Sequence, residues 1–503
     1  MDGFFFRRES MLSFEEVAEY GSRYTVVPLS RRMLADGCTP VEVLRRLRHE
    51  SDRCYILESM EGKDRRGRYT FLGYDPSLEI RGKKGRIEKI DKQGRVTVLQ
   101  DTPHAVLQQV TALYRAPVFP DLPPFTGGLV GYFSFNYLRY TEPVLAERPP
   151  GEEGLDDFDL HLFEKVIVFD HVKQEIVLIS NVRLADGRAG YAAAEAALAE
   201  MARLITDGKP AAVPPLQLTT PLQPLFSEAA YVRMVTAAKR YIREGDIFQV
   251  VLANRWEATA AGSLFDTYRL LRSFNPSPYM FYFSVGDTEI AGSSPETLVR
   301  IGGGRVTTYP LAGTRPRGAT EAADKRLEEE LLHNEKELAE HNMLVDLGRN
   351  DIGRVSRPGS VHVASYLQVL RFSHVMHLGS TVVGTLAPGV QPVQVMEAVL
   401  PAGTLSGAPK IRAYQIIDEL EQADRGLYGG AIGYLDFTGN MDVCIAIRLA
   451  YKHGRRLIIR AGAGIVADSD PQREYEECCH KAEAVRTAVE RADGGIRYDS
   501  FNR

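Results

Sequence analysis

Cysteine is scarce in this 503-residue sequence, blocks of like charge are missing, and no apolar run is long. The five cysteines, at 38, 54, 444, 478 and 479, are odd in number and have no C-x-x-C spacing. That argues against a disulfide framework or a thiolate zinc site, and a reducing, cytoplasmic setting is the expectation. Adjacent Cys478 and Cys479 would point to different faces of a helix, so they read as packing residues. No stretch approaches the apolar length of a membrane span, and the opening MDGFFFRRESML has only a three-residue apolar run. With a formal net charge of −5 and no basic block, neither nucleic acid nor a membrane surface is an expected partner. What remains is ordinary globular composition, 44% hydrophobic and 25% charged.

A chain this long exceeds one ordinary core, so two domains or one large intertwined unit is expected. Residues 1–206 alternate strand-like runs (RYTFLGY, EKVIVFDH, EIVLISNVRL) with helices such as YAAAEAALAEMARLI. Residues 207–226 hold five prolines between 210 and 224, which no helix can run through, so an extended linker or boundary is predicted. Ser227 then reads as the N-cap of an amphipathic helix opening a second region, 227–490, with 491–503 as a C-terminal tail. A weak repeat spans the boundary: TGGLVGYFSFN (126–136) and YGGAIGYLDFT (428–438) share G-G-x-x-G-Y. Strand glycines mark bulges or close backbone approach. Chance is as good an account as duplication; a true repeat predicts two packed β-sheets, one from each half, in an α+β fold with helices outside.

The stretch NEKELAEHNMLVDLGRND (334–351) poses a charge problem. Its apolar stripe through Leu344 and Leu347 continues back to Glu340 and Glu337, so two carboxylates share the leucines' face. REYEECCHKAEAV repeats the pattern, with Glu474 and Glu477 on the stripe of Lys481. If the two helices meet, four carboxylates come together, and each pair about 4 Å apart costs roughly 4 kcal/mol at an effective dielectric near 20. A hard divalent cation removes that cost, and all-oxygen ligands favour Mg²⁺. Taken alone, E-x-x-E is weak: solvated helix faces outnumber metal sites about ten to one.

Other polar residues stand out singly. YPLAGTRPRG (309–318) and PAGTLSGAPKIRAYQ (401–415) could cradle an anion, but neither has P-loop order. CIAIRLAY puts Arg448 in an apolar strand, beside a strand with Gly462 and Gly464, which favours a carboxylate clamp over an edge or salt-bridge arginine. Gln249 is flanked by apolar residues, so it should be buried and hydrogen-bonded. His377 and Glu296 read as polar residues at strand ends.

Taken together, GDIFQVV, SPYMFY, GSSPETLV, PLAGTRPRG, EKELAEHNMLVDLGRND, HVMHLGS, AGTLSGAPK, YGGAIGY and AGAGIVADSDP resemble the chorismate-utilising enzymes, and most closely the anthranilate synthase large-subunit (component I) group. The likeness covers 227–490 and extends more loosely over the first half through LES (57–59), GRYTFLG and PFTGGLVGYFS. It implies the aminodeoxychorismate synthase-like fold and Mg²⁺ held by Glu337, Glu340, Glu474 and Glu477. It further implies a substrate ring carboxylate near Gly462, Gly464, Thr404 and Lys481, and an enolpyruvyl carboxylate at Arg448 and Tyr428. Glu296 matches the acid that protonates the departing ring hydroxyl, and His377 matches the residue of the later pyruvate-losing step. Relatives that add water carry a lysine where Gln249 stands, and the relative that makes aminodeoxychorismate has a nucleophilic lysine where Ala312 stands. Amination to anthranilate is therefore the implied reaction, ahead of aminodeoxychorismate, isochorismate or salicylate synthesis. A non-catalytic amino-acid-binding regulator is the alternative of another class, and the intact acid, histidine and glutamates argue against it. No segment resembles a glutamine amidotransferase, so the resemblance implies ammonia from a small subunit in a hetero-oligomer. It also implies tryptophan feedback through Glu58, Ser59, Pro278, Tyr279, Met280 and Tyr434.

Overall fold

Strand Arg53–Glu58 shows how the layers arise: Cys54 and Ile56 pack among helices, while Tyr55 packs among residues of a second sheet. The computed structural model describes residues 11–59, 67–145, 154–371 and 375–496, so both chain ends, 1–10 and 497–503 of the expected tail, lie outside the described residues. Among those residues, two antiparallel sheets of 13 and 12 strands pack face to face. Between them lie Tyr55, Phe71, Val166 and Phe281 of the first sheet and Val130, Tyr132, Ile432 and Tyr434 of the second. The outer face of the first sheet buries helices including Pro40–Glu50, Gly187–Asp207 and Pro471–Ala492. The second sheet's outer face buries Pro103–Ala112, Glu335–Gly353 and Pro392–Val399. This is the expected α+β fold of two packed sheets with helices outside.

The expectation of one sheet per half is wrong. Arg53–Glu58 pairs with Tyr279–Val285 (Glu58 opposite Met280), so the first sheet takes strands from both halves. Gly128–Phe133 pairs with Ala431–Asp436, which joins the halves in the second sheet as well. Those two strands are the weak repeat, and Gly131 lies directly opposite Gly433. Both tyrosines of the repeat enter the core between the sheets. The glycines answer to crowding: a Cβ on Gly131 would lie 2.0 Å from the Asp159 carbonyl oxygen, and one on Gly433 would lie 2.1 Å from that of Asp442.

Local signals place the ends of the elements. Ser227 Oγ accepts from Ala230 N at 3.3 Å and starts helix Glu228–Arg243, as expected. Asn334 and Asp470 cap the two glutamate helices in the same way. The proline-rich stretch is extended, and its segments Gln217–Leu218 and Gln223–Pro224 pair with the long strand Gln249–Ala261.

Candidate active site

The chain passes between the sheets at two neighbouring places. Thr288–Ser294 of the first sheet leads through Glu296 to Thr297–Gly302 of the second; Met441–Ile445 returns through Arg448 to Leu449–His453. The crossings are stitched together: Ile445 N donates to the Glu296 carbonyl at 2.9 Å, and Ser293 N donates to that of Arg448 at 3.0 Å. Arg448 is thus not inside a strand as expected. It has φ +53°, a left-handed conformation that the change of sheet imposes.

A cavity of about 850 Å³ opens at these crossings, and every catalytic, substrate and metal residue anticipated above lines it. Burial raises the Glu296 carboxyl to about 7, opposed by the hydrogen bond from Thr404 Oγ1 at 3.0 Å and the charge of Lys481. Half of Glu296 is therefore protonated near neutrality, the condition an acid catalyst needs. Burial lowers the His377 pKa, opposed by its bond to Gly313 and reinforced by Arg448. Since the Gly313 carbonyl only accepts, Nδ1 carries the proton of that 2.9 Å bond, which puts the lone pair of the neutral ring on Nε2. Arg448 donates to the Lys481 carbonyl, and burial pulls its pKa down. Buried Tyr428 explains one glycine: a Cβ on Gly462 would lie 2.9 Å from its hydroxyl.

Gln249 is buried as expected, at 4% exposure, but its Oε1 has no hydrogen-bond partner, contrary to expectation. The amide faces the cavity rather than other protein groups, and Gly464 leaves room for it: a Cβ there would lie 2.8 Å from Gln249 Nε2. Ala312 also lines the cavity and offers no nucleophile.

The two E-x-x-E helices meet at the cavity, although their carboxylates do not share one ligand shell. Glu337 pairs with Arg315 at 3.1 Å and Glu477 with Lys481 at 2.6 Å, and no metal-binding cluster of three or more ligands occurs among the described residues. Burial, then the charges of Glu337 and Glu477, raise the Glu340 pKa; burial, then Glu477 against a Ser469 bond, raises that of Glu474. Four hard oxygen donors that repel one another suit a divalent cation in chemistry. Leu344 is buried, as expected of the apolar stripe, and both Leu344 and the half-buried Leu347 also border cavities. Sequence reasoning missed Arg315, Lys336 and Arg460, although Arg315 stood inside the quoted PLAGTRPRG.

A second pocket of about 90 Å³ is lined by Glu58, Ser59, Pro278, Tyr279, Met280 and Tyr434, the full set expected for feedback. The Glu58 carboxylate is taken by Arg272 (2.6 Å) and Tyr268. Unanticipated Arg300 and Asp442 add to the charge that Glu58 brings to this largely aromatic and apolar wall, and Pro278 borders both cavities.

An acid poised near neutrality, a neutral imidazole and a buried guanidinium around one cavity define an enzyme acting on an anionic small molecule. The family model for chorismate binding enzymes matches residues 52–487, and the chain belongs to that family. It is similar to anthranilate synthase component 1 of Acetivibrio thermocellus, 42% identical over 96% of this chain and 99% of that protein. The same-named protein of Thermus thermophilus is 44% identical over 93% and 99%. Among solved structures, anthranilate synthase component I from Streptococcus pneumoniae superposes with a TM-score of 0.72 at 39% identity, covering 83% of this chain and 92% of that one. Among the described residues no helix is long and apolar enough to cross a membrane.

Proposed function

We propose that this chain is the large component of an anthranilate synthase, converting chorismate and ammonia to anthranilate, pyruvate and water. The observation that carries the reading is Glu296, with its pKa near 7, on the same cavity as Gln249 and Ala312. Neither of those two positions provides a base to activate water or an amine to attack the ring. Ammonia needs no such base. It adds at C2 while Glu296 gives its proton to the departing hydroxyl, which leaves as water. Nε2 of His377 then accepts the C2 proton as the C3–O bond breaks and the ring becomes aromatic. The departing enolpyruvate takes a proton back at its methylene carbon to leave as pyruvate. Arg448 and Tyr428 hold the enolpyruvyl carboxylate, and Lys481, Thr404 and the backbone at Gly462 and Gly464 orient the ring carboxylate. Glu337, Glu340, Glu474 and Glu477 would hold Mg²⁺, which when bound neutralises their charge and supplies an electrophilic contact for a substrate carboxylate. The pocket at Ser59 and Tyr279 is read as a tryptophan feedback site, since its wall is aromatic with one charged side.

The test uses purified chain, chorismate, Mg²⁺ and ammonium salts, with the fluorescence of anthranilate as readout. Turnover with ammonium is expected, and with glutamine only after a glutaminase subunit is added. Isochorismate or aminodeoxychorismate as the main product, or glutamine-dependent turnover by the isolated chain, refutes the reading.

A further inference from the structure

Glu296 and Thr404 border two cavities, and the second has no part in the scheme above. It is a side chamber of about 50 Å³ behind the acid, formed where helix Glu335–Gly353 passes the loop at 402–404. That volume is large enough for a water. Leu347 and Leu298 make part of its wall apolar, while Thr308 and Asp351 give it polar contacts. Asp351 accepts from Lys410 Nζ at 3.0 Å, and Lys410 also donates to the Val399 carbonyl at 2.9 Å. The pair is not sealed: the two side chains retain 18% and 15% exposure. The chamber thus runs from a partly exposed ion pair to Glu296, which also borders the larger cavity.

We propose that this chamber is the proton inlet of Glu296, holding the water that recharges the acid between turnovers. The inference rests on Glu296 being the acid. In each cycle the Glu296 carboxyl loses its proton to the hydroxyl whose C–O bond breaks, forming water. The new C–N bond leaves an ammonium nitrogen that releases one proton to solvent. Chamber water passes a proton to the Glu296 carboxylate and takes one from solvent at the Asp351 mouth, so the cycle has no net proton change. Asp351 and Lys410 are positioning residues that fix this water. The charged and titratable groups bearing on the relay are Lys481 at Glu296, Tyr309 on the chamber wall, and Lys410 and Arg354 at Asp351. Thr404 hydrogen-bonds the acid, and burial raises the Asp351 carboxyl against both cations.

The test separates loading from chemistry. With enzyme in excess at a pH well below 7, most Glu296 starts protonated and needs no recharge; in steady state it does. Asp351→Asn, and the charge-free double variant with Lys410→Gln, should lower kcat about 5–10-fold. Both should keep KM for chorismate and the single-turnover rate within about twofold. Unchanged kcat overturns the inlet, and so does an equal fall in both rates, which a purely structural role would give. Glu296→Gln is run alongside and should slow single turnover at least about 100-fold. If it does not, the acid reading fails and the inlet with it; if it does while Asp351→Asn is silent, only the inlet fails.

Discussion

Glu296 keeps its proton near neutrality because of its surroundings, so its predicted behaviour depends on pH in two ways. Catalysis needs the protonated form, so with free ammonia held constant, kcat should fall as pH rises through about 7. At fixed total ammonium the rise in free ammonia opposes that fall, and a maximum in the profile is expected. Stability follows the same proton. The carboxyl binds it more tightly folded than unfolded, so the contribution is full below about 4.5 and is lost as pH rises through about 7. Glu296→Gln should therefore lose turnover yet melt higher than the parent at pH 8, by an amount on the order of 2–3 kcal/mol. A lower melting temperature at pH 8 would contradict the buried-charge account. The identity of this residue was legible in GSSPETLV, but its pKa was not, because burial is a tertiary property. Gln249 marks the same boundary: its burial could be read from apolar neighbours, while its partnerless Oε1 could not.

Helices carry their signals locally, and here the reading succeeded further. Spacing placed Glu337 with Glu340 and Glu474 with Glu477, while the caps that start those helices, Asn334 and Asp470, were not anticipated. Lys481, which takes Glu477, stood on the same stripe four residues on, whereas Arg315, which takes Glu337, comes from tertiary contact that spacing could not show. Mg²⁺ should raise the melting temperature of the parent chain and leave Glu340→Ala and Glu477→Ala unaffected. Both variants should lose Mg²⁺-dependent turnover while folding normally, since removing either relieves repulsion. A parent chain indifferent to Mg²⁺ in calorimetry would remove the metal assignment. On the strand side, Ser59 follows Arg53–Glu58 and borders the second pocket with its hydroxyl buried and without a partner. Ser59→Phe should fill that space, abolish tryptophan inhibition and leave uninhibited kcat within about twofold. Inhibition constants that match the parent would count against the feedback assignment.

The whole molecule is where local reasoning failed, because strand partners are chosen by contacts hundreds of residues apart. Gly128–Phe133 lies between Phe158–Phe163 and Ala431–Asp436, and Arg53–Glu58 lies between Tyr69–Tyr74 and Tyr279–Val285. A fragment starting at residue 207 would expose strand edges in both sheets. It should be insoluble or unfolded alone, and the intact chain should melt in one transition by circular dichroism and by fluorescence. Two separated transitions would argue for independent halves. The same interleaving bears on how the two pockets communicate. Tyr279 of the first sheet bonds through its hydroxyl to Thr297 (2.9 Å) and Asp442 (2.7 Å) of the second, and Thr297 adjoins Glu296. That hydroxyl works as a rivet through two plates. Anything wedged beside it is expected to shear one plate against the other, and the spacing between proton donor and guanidinium, compared with and without a ligand in the neighbouring pocket, is the measurement that checks it.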